Sequence, residues 1–134
     1  MGIYRQLEID YEIDTVDEFL EHFSIACDVL ERLIVSLNNK EKYKDNINQL
    51  FRIFHNTKSA CGFLKINEIA SVCNVCEDIL EEARELDGPA SEELIDWLLL
   101  INDQFLKYKS DLELDAPYFS VLNPSIIKLP LELN

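Results

Sequence analysis

Glycine is scarce in this chain: three of 134 residues, Gly2, Gly62 and Gly88, lying far apart. No glycine-rich phosphate cradle can be assembled from them, which removes the self-contained nucleotide-binding enzymes. Basic residues are also few, 12 Lys and Arg against 26 Asp and Glu, for a formal charge of −14 and a pI near 4.4. A surface that negative repels phosphate backbones and anionic lipid, so neither nucleic acid nor a membrane is an expected partner. No apolar run approaches the roughly 20 residues of a membrane span, and no charged-then-apolar leader opens the chain. The expectation is a soluble, cytoplasmic protein. Cysteine occurs four times, at Cys27, Cys61, Cys73 and Cys76. Cys73-x-x-Cys76 lacks the second pair that a zinc site wants, and it falls midway along a helical pattern where a redox pair would open a helix after a strand. The chain is too rich in core residues to need disulfides. All four cysteines read as small apolar core residues.

What is present is helical patterning. Apolar residues make up 48% of the chain, enough for one core at a length typical of one domain. Residues 1–14 form an N-terminal arm, in which the alternation Leu7-Glu8-Ile9-Asp10-Tyr11-Glu12-Ile13 predicts an extended conformation. Thr15-Val16-Asp17-Glu18 reads as a capping box, followed by Val16, Phe19, Leu20, Phe23, Cys27, Leu30, Ile34 and Leu37 at helical spacing over 15–39. A second helix is predicted over 45–64, a third from a cap at Asn67 to the stop at Gly88-Pro89, and a fourth from Ser91 to about Leu112. Short connections between four amphipathic helices imply an all-α, antiparallel up-and-down four-helix bundle over 15–113. Residues 114–134 hold Pro117, Pro124 and Pro130 beside several Ile and Leu, and read as an irregular or partly packed tail or linker.

The informative segment is Leu50–Leu64. With His55 set at zero on a wheel of about 100° per residue, Asn48, Arg52, Ser59 and Gly62 fall within about 60° of it, and Lys58 about 60° to the other side. Phe54, Leu50 and Cys61 cluster about 100–140° away. His55 therefore points out of the core, on a face of small and basic residues. Gly62 within a helix costs about 1 kcal/mol relative to Ala, and a flat patch beside an exposed histidine lets another protein approach the ring. Lys58 and Arg52 place positive charge beside it in an otherwise acidic chain, which suits a phosphoryl group on the imidazole. An ordinary surface histidine with coincidental neighbours is the competing account at this point. His22 has no such company and reads as solvated surface, Trp97 as a core or groove filler, and the acidic run after Glu77 as a solvated helix face.

His55-Asn56-Thr57-Lys58-Ser59-Ala60-Cys61-Gly62-Phe63-Leu64 resembles the phosphoacceptor helix of histidine phosphotransfer (HPt) domains. That family's pattern is a histidine, then Lys three on, Gly four on and Gly seven on. Lys58 and Gly62 match; Ser59 stands where the first glycine is usual. The subtype it is most similar to is the N-terminal phosphotransfer domain of chemotaxis histidine kinases, whose next helix carries a His-x-x-Glu segment. Glu77 stands in the glutamate position, with Asn74 in place of the second histidine. The resemblance implies a phosphorelay carrier, with His55 as phosphoacceptor, Lys58, Glu77 and Arg52 supporting ring and phosphate, and Ser59, Gly62 and Phe51 forming the docking surface. Glu77 would accept from Nδ1–H and leave Nε2 as the nucleophile. The implied partners are a histidine kinase catalytic domain and a response-regulator receiver domain. Mg²⁺ and ATP would belong to those partners, so no cofactor and no metal is expected in this chain. A free-standing carrier and the N-terminal part of a larger kinase both stay open, and the runner-up is a phosphotransfer-inactive bundle acting as a binding or regulatory module. A metal site built from His55, Glu77 and cysteines is disfavoured, because the wheel turns Cys61 about 120° from His55.

Overall fold

In α2 (Ile13–Val35), Val16, Phe19, Phe23, Cys27, Leu30 and Ile34 recur every three or four residues and are buried. The same periodicity builds α3 (Lys40–Leu64), α4 (Asn67–Arg84) and α5 (Glu92–Glu113). A computed structural model describes all 134 residues and holds helices and 3₁₀ turns with no strand. The four long helices share one core, in which Phe105 sits 5.2 Å from Phe23 and 5.5 Å from Phe54 between ring centroids. No helix is long and apolar enough to cross a membrane.

The connections set which helices become neighbours. After a 3₁₀ turn at Ser36–Asn38, the Asn39 side chain accepts from the Glu41 amide and caps α3. At the other end Lys65 takes the left-handed conformation (φ 58°), while the Lys65 and Ile66 amides bond back to Gly62 and Cys61. Only two residues then separate α3 from α4, so the two helices fold back on each other and pack along their length. Gly88 follows α4 at φ 78°, and a Cβ there would lie 2.4 Å from Cγ of Tyr43, so close approach and backbone both demand glycine. Ser91 accepts from the Leu94 amide and opens α5.

Several boundaries differ from the sequence expectation. Residues Ile3–Asp10 are a helix, α1, where the alternation predicted an extended arm. Its Gly2 and Arg5 amides donate to the Asp115 carboxylate at 3.2 and 3.0 Å, and the Ile3 amide to the Ala116 carbonyl. The cap that satisfies its first turn thus comes from the far end of the chain, and Ile3, Tyr4 and Leu7 pack on the core. Thr15 caps nothing: α2 starts two residues earlier, and the Val16 amide bonds the Glu12 carbonyl. α3 starts at Lys40, ahead of the expected 45, because Asn39 supplies the cap. Asn67 is the first residue of α4 and not its cap, and α4 ends at Arg84, ahead of Gly88.

The tail is irregular apart from a 3₁₀ turn at Pro124–Ile127, and it packs back along α5. Asp111, Gln104 and Trp97, two helical turns apart each time, form one stripe. Asp111 accepts from the Ser120 amide, Gln104 Oε1 from the Asn123 amide, and Trp97 Nε1 donates to the Ile126 carbonyl at 3.0 Å. Glu93, four residues before Trp97, accepts from the Leu131 and Glu132 amides. Ile126, Pro130 and Leu133 are buried.

Candidate functional site

α3 presents His55 midway along its length with the side chain 55% exposed. Phe54 and Cys61, on the opposite flank, are fully buried. The α3–α4 hairpin brings Glu77 to the ring: Oε1 lies 2.7 Å from His55 Nδ1. Lys58, one turn after His55, donates from Nζ to the other oxygen, Oε2. Glu77 is only 7% exposed, and a buried carboxylate is tolerated where both oxygens find donors. Burial by itself pushes its carboxyl up, but hydrogen bonds and charge from Lys58 and His55 together outweigh burial and hold it below the usual value. An ionised carboxylate can only accept, so the His55 ring carries its proton on Nδ1. No protein group bonds Nε2, which keeps its lone pair whenever the ring is neutral.

A second ring lies alongside the first. Phe51, one turn before His55, lies parallel to it, with centroids 6.2 Å apart and 6° between planes. The Arg84 guanidinium sits over Phe51, 4.5 Å from the ring centroid. Phe51, expected on the docking surface, is accordingly half-buried between two α3–α4 contacts. Arg52, Ser59 and Gly62 are exposed, and Arg52 makes no ion pair. A Cβ on Gly62 would meet nothing within 4 Å, so nothing inside the chain requires glycine there. Asn74 is exposed and stays outside the Lys58–Glu77–His55 cluster. Arg84 is the residue sequence reasoning missed. Its signal was its place seven residues after Glu77, two turns along the same face of α4.

The remaining candidates fall elsewhere. His22 is exposed on the rim of a groove of about 310 Å³ between α2 and α3, which Phe19, Ile53 and Ala60 help to line. Trp97 fills the space between α5 and the tail. The four cysteines are buried and unpaired. Desolvation pushes the Cys27 and Cys61 thiols up to about 12, so they stay protonated. Cys61 is buried in the core while His55 faces out, so the two do not share a ligand set.

Residues 14–113 match the family model described as "Hpt domain". Among curated proteins, the chain is 28% identical over 81 residues to Chemotaxis protein CheA of Borreliella burgdorferi, covering 60% of this chain and 9% of that protein. It is 26% identical over 91 residues to Sensor histidine kinase CheAY of Helicobacter pylori, covering 65% of this chain and 11% of that protein. The chain thus spans about a tenth of the length of these relatives. No solved structure gives a significant match.

Proposed function

Because this chain belongs to the Hpt domain family, and so has a phosphotransfer role in two-component signalling, we propose that His55 is its phosphoacceptor. On this reading His55 takes a phosphoryl group from a histidine kinase catalytic domain and yields it to an aspartate of a receiver domain. The observation that carries it is the 2.7 Å contact between Glu77 Oε1 and His55 Nδ1, which puts the proton on one nitrogen and frees the other. Nε2 then attacks the donor's terminal phosphorus, the N–P bond forms and the P–O bond to the nucleoside diphosphate breaks. The ring gains positive charge as it does so, and the Glu77 carboxylate beside Nδ1–H stabilises it. In the second step an aspartate oxygen of the receiver attacks phosphorus, the N–P bond breaks and the imidazole returns to its neutral state.

Lys58 and Arg52 contribute cationic charge near the transferred group, while Ser59 and Gly62 leave the approach to Nε2 open. ATP and Mg²⁺ act from the partners in this scheme. Such a relay works in the cytoplasm, where its nucleotide donor is. The test is to expose the chain to ATP with a chemotaxis-type kinase domain and, separately, to phosphoramidate as a small phosphoryl donor. One acid-labile, base-stable phosphoryl group is expected, and His55→Gln is expected to abolish it. Label that survives in His55→Gln, or that behaves as a phosphoserine ester, overturns the assignment. A wild-type chain inert to both donors supports a phosphotransfer-inactive binding module instead.

A further inference from the structure

A single hydrogen bond at Nδ1 anchors one edge of the His55 ring but does not fix its plane. The terminal torsion of histidine is broad, and a ring pinned at one nitrogen can still swing Nε2 sideways. In-line transfer needs the nucleophile held close to one direction, since small misplacements cost rate steeply. Something else must limit the swing on the exposed side of α3.

The neighbouring groups are arranged in two cross-helix pairs. His55 and Phe51 are four residues apart on α3 and share a face; Glu77 and Arg84 are seven apart on α4 and share another. Glu77 meets the edge of His55 at 2.7 Å, and one step along the hairpin Arg84 meets the face of Phe51 at 4.5 Å. Between them the Phe51 and His55 rings lie parallel within 6° at 6.2 Å, inside the range for offset aromatic stacking. The other charged contact of Arg84, to Glu81 at 3.8 Å, joins two side chains well open to solvent and is weak. The last turn of α4 is itself tied to α3, because the buried Tyr43 hydroxyl donates to the Ala83 carbonyl at 2.7 Å, beside the exposed bond from Lys44 Nζ to the Arg84 carbonyl. The guanidinium is thus delivered onto Phe51 by a fixed stretch of backbone.

We propose that Arg84, acting through Phe51, is a positioning residue for the His55 imidazole: the guanidinium holds the Phe51 ring and the Phe51 ring holds the plane of His55. Its kinetic consequence rests on His55 being the phosphoacceptor; its geometric content does not. Arg52, nearer to His55 in sequence but without an ion pair, plays no part in setting the ring.

The test uses the full chain in four variants, Arg84→Ala, Arg84→Lys, Phe51→Leu and Arg52→Ala, with thermal melts and imidazole ¹⁵N spectra of each. The chain has two histidines, and His22 serves as the internal reference for a freely solvated ring. In the wild type His55 is expected to show one dominant tautomer, protonated at Nδ1. Arg84→Ala and Phe51→Leu are expected to keep that tautomer, which Glu77 sets, but to shift and narrow the His55 signals as the ring plane loosens, while leaving the melt within a few degrees. Arg84→Lys restores part of the shift, because an ammonium also lies over a ring face, and Arg52→Ala leaves the His55 ring signals in place, whatever the loss of its charge does to the transfer rate. Phosphorylation by the kinase domain is expected to slow about fivefold in Arg84→Ala, the size of one partly exposed cation–π contact, in the rate and not in the half-saturating concentration. Unchanged His55 signals in both Arg84→Ala and Phe51→Leu overturn the proposal, as does an equal change in Arg52→Ala. Should the wild type prove inert to phosphoryl donors, the function fails but the ring spectra still decide the positioning.

Discussion

Glu77 is the residue on which the cluster turns, because it alone touches both His55 and Lys58. Removing it leaves two partly exposed donors that water can satisfy, so Glu77→Ala is expected to cost no more than about 1 kcal/mol of stability. Phosphorylation of His55 is expected to slow at least about tenfold, the usual scale for losing the partner that orients a histidine. A rate equal to that of the wild type would remove Glu77 from the mechanism. Its ionisation also predicts a pH effect. Lys58 and His55 hold the folded-state carboxyl below its ordinary value of 4.5. Such a group binds its proton more weakly folded than unfolded. Its contribution to stability is therefore complete above the ordinary value and lost as pH falls through the lower folded one. Wild type is expected to lose melting temperature more steeply than Glu77→Gln in that acid range, as parallel melts across pH would show.

At the scale of the element, α3 carries both demands of the site on one helix. Its inner flank holds Leu50, Phe54, Cys61 and Leu64 in the core, and its outer flank exposes His55, Ser59 and Gly62. A Cβ at Gly62 meets only open space, so Gly62→Ala is expected to stabilise the helix by up to about 1 kcal/mol. Ser59→Gln and Gly62→Gln are expected to leave the melt within a few degrees, since surface changes rarely exceed about 0.5 kcal/mol. On the reading that a receiver docks here, the same two variants slow receiver-dependent dephosphorylation by about tenfold, or about 1.4 kcal/mol. Paired melting and dephosphorylation measurements check the separation. Transfer left intact by bulk at both positions would move the docking surface elsewhere.

Across the whole molecule, the two chain ends are bound to the bundle by polar side chains reading backbone. Asp115 caps α1, and Glu93, Trp97, Gln104 and Asp111 bond the tail at intervals along α5. Trp97→Phe keeps most of the ring but leaves the Ile126 carbonyl unpaired, which is expected to cost about 1 kcal/mol. Amide exchange over residues 124–133 is expected to speed up in that variant, and further in combination with Glu93→Ala, with no change in α3 or α4. Unaltered exchange would show that apolar packing of Ile126 and Leu133 alone secures the tail.

The period of the apolar residues by itself determined the four long helices and the outward direction of His55, because a helix turns about 100° per residue and that relation is local. Lys58 and Gly62 on the same face followed for the same reason. Glu77 was reached through resemblance to a family, since no rule of local spacing links residues on two helices. Only the tertiary structure decided the rest. The register of the α3–α4 hairpin put Glu77 against the ring edge and Arg84 over Phe51. The cap on α1 arrives from Asp115, 113 residues from Gly2, so the alternation of its apolar residues pointed to the wrong conformation. A helix face is written in neighbours three and four residues away, whereas a contact between faces depends on how whole elements dock.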